Sequence, residues 1–157
     1  MHEVKDGPSR TLKFEGELLG KSTSWRSGSF RWIEFSLYKT KKGQYILSRV
    51  GVSLIYHVAA CPLVERYGLT EMDVAELATN ATPCPECHPT LNVPYVFPEK
   101  YRNWALVSEE PEAILEALYK YDDSGARYLT NVAARLLEMA SEEDAALDAA
   151  YRVEYID

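Results

Sequence analysis

The three cysteines of this chain and one of its three histidines crowd into a stretch of thirty-one residues. His57 stands four residues before Cys61, and Cys84 and Cys87 form a Cys-x-x-Cys pair. Three thiolates and an imidazole are a complete tetrahedral shell for zinc. In Cys-x-x-Cys the two intervening residues turn the backbone so that both sulfurs face one point. Pro83 and Pro85 fix φ on either side of Cys84, so that turn is partly set before metal arrives. The 22 residues from Pro62 to Pro83 give room for a short helix that returns the chain to the metal. Zinc ligated by His57, Cys61, Cys84 and Cys87 is therefore the first expectation. The binding free energy of such a site adds to folding, on the order of 10 kcal/mol in small zinc peptides.

Other roles for these residues fit less well. A structural disulfide leaves one cysteine over, and no signal-peptide pattern is visible in the sequence, so a disulfide is not expected. A thioredoxin-like redox pair needs its Cys-x-x-Cys to open a helix, whereas Cys87 runs into His88 and Pro89. Plain burial as small hydrophobes does not explain the spacing. His88 is an alternative fourth ligand. It abuts Cys87, and adjacent residues seldom converge on one ion without strain, which favours His57.

The pattern Tyr-His-x-x-x-Cys, an interval, then Pro-Cys-x-x-Cys-x-Pro resembles the metal-binding motif of Ada-type zinc domains, over residues 55–89 only. The resemblance implies zinc at His57, Cys61, Cys84 and Cys87, and a nucleic-acid context. In the methyl-accepting members of that family the first cysteine takes a methyl group from a DNA phosphotriester. His57 occupies the matching position here, so that activity is not implied.

Around this knuckle the pattern predicts an α+β chain. Residues 1–10 read as a frayed arm. Residues 11–19 alternate, with Leu12, Phe14 and Leu18 on one side and Gly16 marking a bulge or close approach. Residues 20–29 read as a Ser/Gly-rich loop. Residues 30–38 alternate again, with Ile33, Phe35 and Leu37 opposite Trp32 and Tyr38. Lys39 to Gly43 signals a hairpin, and strand pattern resumes up to His57, broken near Gly51. The result is an N-terminal antiparallel meander of three to four strands over 10–57, delivered to a zinc part over 57–89. Short helices are expected after Pro62 and after Thr70, the second through a capping box with Asp73. Prolines at 89, 94 and 98 make 88–103 an irregular crossing, followed by a brief strand from Trp104. A bundle of about three helices then fills 104–157: one capped by Ser108 and running through Ile114, Leu115, Leu118 and Tyr121; one carrying Leu129, Val132, Ala133, Leu136, Leu137 and Ala140; one capped by Ser141 with Asp144. The whole is expected to be one domain.

The net charge of −7 is unevenly spread. Residues 1–60 hold ten Lys/Arg and five Asp/Glu; residues 61–157 hold seven and nineteen. Cations and aromatics interleave in the front half, a composition that suits single-stranded nucleic acid: rings stack bases and cations meet phosphates. Trp25, Arg26, Arg31, Lys39, Lys41 and Lys42 are the candidate contacts. The acidic helices suggest instead an adaptor or small regulator that docks a protein partner or a second copy of the chain. No apolar run approaches a membrane span, and zinc-bound thiolates suit a reducing, cytoplasmic setting. Four good ligands imply a closed metal site, and no Gly-x-Ser-x-Gly, P-loop or His-Glu-x-x-His motif occurs. The expected function is a non-catalytic, zinc-stabilised binding module.

Overall fold

The computed structural model describes residues 1–29, 31–53, 55–58, 69–71, 82–83, 95–98 and 101–153. In chain order the strands are β1 (His2–Asp6), β2 (Arg10–Phe14), β3 (Gly16–Thr23), β4 (Arg31–Thr40), β5 (Tyr45–Ser53), β6 (Ile55–Val58), β7 (Leu69–Glu71), β8 (Thr82–Pro83), β9 (Tyr95–Pro98) and β10 (Tyr101–Ser108). Helix α1 (Pro111–Leu118) follows, then the small hairpin β11 (Lys120–Tyr121) and β12 (Arg127–Tyr128), then α2 (Asn131–Glu143) and α3 (Ala145–Tyr151). Antiparallel sheets and three helices make this an α+β chain. It divides into two compact units: Met1–Ser24, Ile33–Val50 and Asn103–Asp157 form the first, and Trp25–Trp32 with Gly51–Arg102 form the second.

The first unit is built on a four-stranded sheet in the order β10-β5-β4-β3. Alternation along β4 buries Phe35 and Leu37 against the helices, as period-2 side chains require. Leu19, Tyr45 and Leu47 join them from β3 and β5; Ile114, Leu136 and Leu137 meet them from α1 and α2. Helix α2 packs on β3, and α3 contacts both α1 and α2. Glycine sets the depth of that packing. A Cβ on Gly20 would lie 3.1 Å from Met139 Cβ and 3.3 Å from Ala140 N, so α2 sits on the bare backbone of β3.

Two stretches of the first unit differ from the sequence expectation. Residues 2–6 are strand, paired with β2 from His2↔Phe14 to Asp6↔Arg10 around the left-handed Gly7. His2, Phe14 and Tyr38 form an aromatic cluster, with centroids 4.8 to 5.5 Å apart, between this hairpin and β4. An arm that alternates and can bury Val4 does not fray. In β3 the register slips between Leu18 and Gly20. That bulge turns Leu19 into the core and leaves Leu18 41% exposed, so simple alternation picks the wrong leucine. Gly16 does mark a close approach: a Cβ there would overlap the Lys39 carbonyl.

The helix ends also differ. Ser108 does not cap α1. Its hydroxyl accepts from Glu110 N at 3.0 Å, and Pro111 opens the helix. Tyr121 lies beyond α1, 56% exposed in β11. Ser141 is inside α2 and buried; the cap of α3 is Asp144 alone, accepting from Leu147 N at 3.0 Å. Asp144 is buried as well. Its other contacts are Lys39 Nζ at 2.6 Å and Tyr45 Oη at 2.5 Å, so one carboxylate ties β4 and β5 to the last helix. Thr70 and Glu71, expected to open a helix, are in strand β7. The rest of that helix and the one after Pro62 lie outside the described residues.

Candidate metal centre and nucleic-acid interface

The second unit holds a small sheet in the order β7-β9-β6-β8. β6, with Ile55 and Val58, is the β-branched kind of sequence that suits a strand paired on both sides. β9 runs antiparallel to it, with His57↔Val96 and Val58↔Tyr95, and antiparallel to β7. On its other side β6 pairs with β8 in parallel, Ile55 with Thr82 and Tyr56 with Pro83. β8 is a two-residue edge strand, where a proline without an amide hydrogen is tolerated.

This parallel pairing bears on the predicted ligands. His57 follows Tyr56 in sequence, and Cys84 follows Pro83. Parallel strands advance in the same direction about 4.8 Å apart. The ladder sets Tyr56, the residue before His57, beside Pro83, the residue before Cys84 in sequence. The chemistry of that set, three thiols and an imidazole, fits zinc. His57 is placed by its backbone in β6. Cys61, Cys84, Cys87 and His88 lie outside the described residues. Among the described residues, no three or more His, Cys, Asp or Glu gather as a metal would require.

The predicted nucleic-acid contacts separate into two groups. Trp25, Arg26 and Arg31 belong to the second unit. Their loop is closed at its base by Ser24, whose N–H donates to Ile33 O at 2.9 Å and whose Oγ accepts from Ile33 N at 2.8 Å. Within the loop Ser29 N donates to Arg26 O at 2.9 Å, Arg26 N donates to Ser29 Oγ at 3.0 Å, and Gly28 takes a φ of 86°. This tight turn presents Trp25, 52% exposed, beside the exposed Arg26. Arg31 is exposed where β4 begins.

Lys39, Lys41 and Lys42 belong to the first unit, at the far end of β4. Lys41 and Lys42 are exposed in the turn before β5, shaped by the left-handed Gly43. Lys39 is engaged: its ammonium bonds Asp144 and lies 5.0 Å from the Tyr45 ring centroid. The hydrogen bond to Asp144 raises the Lys39 pKa against its partial burial.

Two residues not singled out in the sequence share the second unit with Trp25. Tyr101 and Arg102 are exposed at the start of β10 and lie in the second unit. Lys-Tyr-Arg at 100–102 repeats the cation–aromatic mixture of the Trp25 loop, but the neighbouring prolines make it read as irregular crossing. No family model, no curated protein and no solved structure matches this chain.

Proposed function

We propose that this protein is a non-catalytic binding module, stabilised by zinc at His57, Cys61, Cys84 and Cys87, whose ligand is single-stranded nucleic acid. The observation that carries the reading is the parallel pairing of Tyr56 with Pro83, which sets the sequence neighbours of one ligand from each half of the motif side by side. Zinc when bound supplies a fixed tetrahedral cross-link and no open position for chemistry.

Trp25 and Tyr101 offer faces for base stacking, and Arg26, Arg31 and Arg102 offer charge for phosphates. The second unit carries five Lys/Arg and six Asp/Glu. Stacking therefore contributes more than long-range attraction. Three arginines meeting phosphates give a modest salt dependence, a log–log slope of about −2 for a single strand. The acidic stretch 103–157, with thirteen Asp/Glu against four Lys/Arg, shares the first unit with β3, β4 and β5, and Lys39–Asp144 joins the two charge classes internally.

Fluorescence anisotropy with labelled single-stranded DNA and RNA of mixed sequence, run from low to moderate salt, tests the ligand. Binding that weakens with that slope and is weakened by about 1–3 kcal/mol in Trp25→Ala supports the reading. No binding to either probe at low salt ends it.

A further inference from the structure

Helices α1 and α3 of the first unit pack on each other. Beside that contact lies a cleft of about 200 Å³. Leu115, Ala150 and Val153 give it an apolar lining. Glu112 and Glu116 from α1 and Arg127 from β12 line it with charges of both signs.

Helical spacing assembles one wall. Glu112, Leu115, Glu116 and Tyr119 stand at i, i+3, i+4 and i+7, on one face of α1 and its end. The other wall is the β11–β12 hairpin, closed by a tight turn. Asp122 Oδ1 accepts from Ser124 N and from Ala126 N, both at 2.9 Å, and Gly125 takes a φ of 83°. Two side-chain contacts tie the hairpin to α1. Tyr121 Oη donates to Glu116 Oε1 at 2.7 Å, and the Arg127 guanidinium carbon lies 3.9 Å from the Tyr119 ring centroid.

Stacking holds the guanidinium by its face and leaves its N–H edge for a planar anion. Among the described residues Arg127 forms no ion pair, although two carboxylates line the same cleft. Glu112 forms none either, and Glu116 gives one oxygen to Tyr121 and keeps the other. Opposite charges that share a cleft without meeting suit a ligand that carries both. A ligand with a positive charge alone would face Arg127 uncompensated, and a negative one alone would face Glu112 and Glu116. Clefts for drug-sized ligands begin at about 300 Å³, so this one takes a smaller molecule.

We infer that this cleft binds a small zwitterion with an apolar side chain, a free aliphatic amino acid or a dipeptide of two such residues. Arg127 takes the carboxylate, Glu112 and Glu116 take the ammonium, and Leu115, Ala150 and Val153 cover the apolar body. The inference uses residues of the first unit alone and is independent of the zinc and nucleic-acid reading. The charges are exposed to solvent, so the affinity is modest, with a Kd on the order of 1 mM.

Amide NMR of the isotope-labelled full chain, titrated with L-leucine, tests it. Saturable shifts are expected in residues 112–119, 126–128 and 147–153. Leucinamide, which lacks the carboxylate, and isocaproate, which lacks the ammonium, should each bind at least about tenfold more weakly. Arg127→Gln should weaken leucine binding by a similar factor while its spectrum outside the cleft stays that of the wild type. If that variant fails to fold, the analogue series on the wild type decides alone. Leucyl-leucine in parallel separates the two sources: tighter binding of the dipeptide assigns the cleft to peptides, and tighter binding of leucine assigns it to free amino acids. Leucinamide or isocaproate binding as well as leucine would overturn the inference. So would the absence of saturable shifts in these segments with leucine and with the dipeptide at tens of millimolar.

Discussion

Lys39 Nζ and Asp144 Oδ1 lie 2.6 Å apart, although 104 residues separate them in sequence. The contact joins the basic front of the chain to its acidic end, and the carboxylate it engages also caps α3 and accepts from Tyr45. Removing one partner of such a buried group leaves the others short of a hydrogen bond or an ion pair. Asp144→Asn keeps a good capping side chain and deletes the charge. It is expected to lower unfolding free energy by about 1–3 kcal/mol in urea titrations. Asp144→Ala, which also loses the cap, should cost about 1 kcal/mol more.

The same cluster sets a pH profile. Burial works to raise the Asp144 pKa, but hydrogen bonds from Lys39, Tyr45 and Leu147 N–H outweigh it and hold the carboxyl below its ordinary value. A depressed acid stabilises above its unfolded pKa, about 3.9, and the contribution is lost as pH falls through the folded value. Tyr45 is raised by burial and by its bond to Asp144; Lys39 is raised chiefly by its bond to Asp144. Their contributions are present below about pH 10 and are lost as pH rises through the raised folded values. Unfolding free energy measured against pH should therefore fall on both sides of a plateau. Asp144→Asn should flatten the acid side.

Packing of α2 on β3 makes a steric prediction. Gly20→Val places branched carbons against Met139 and the α2 backbone and should destabilise by about 1–3 kcal/mol. Leu136→Ala, which empties a fully buried site in the same layer, should cost about 2–5 kcal/mol. Chemical denaturation of both variants checks these values.

Trp25 and Lys39 should behave as opposites. Trp25→Ala is expected to cost less stability than Lys39→Ala, because the Trp25 side chain is half-exposed in a loop. It should weaken single-strand binding by about 1–3 kcal/mol, the loss of one stacked base. Lys39→Ala should lower stability and leave binding nearly unchanged. Paired anisotropy and thermal melts on the two variants separate the roles.

Much of the scaffold is legible in the sequence because strong periodicity meets a single buried face. Phe35 and Leu37 follow from alternation, and Val132, Leu136 and Ala140 follow from helical spacing. Where the sequence misleads, a local device overrides the period. The β3 bulge exchanges Leu18 for Leu19, and a hairpin partner makes a strand of residues 2–6. Asp144 reads in sequence as part of a helix cap; only the fold shows that Lys39 and Tyr45 reach it. For the same reason Lys39 reads as a phosphate contact, although its charge is engaged within the scaffold. That Tyr101 and Arg102 fall in the same unit as Trp25 is a property of the fold that no local pattern encodes. The spacing of His57, Cys61, Cys84 and Cys87 is legible by itself. The parallel pairing of β6 with β8 is not.

The central claim is that His57, Cys61, Cys84 and Cys87 share one zinc ion. Metal content of the reduced, purified chain, measured for the wild type and for His57→Ala, Cys61→Ser, Cys84→Ser and Cys87→Ser, tests it most directly. The account predicts one zinc per wild-type chain and markedly less in each variant. A wild-type chain free of metal with all three thiols reduced, or variants that retain full zinc, would contradict it.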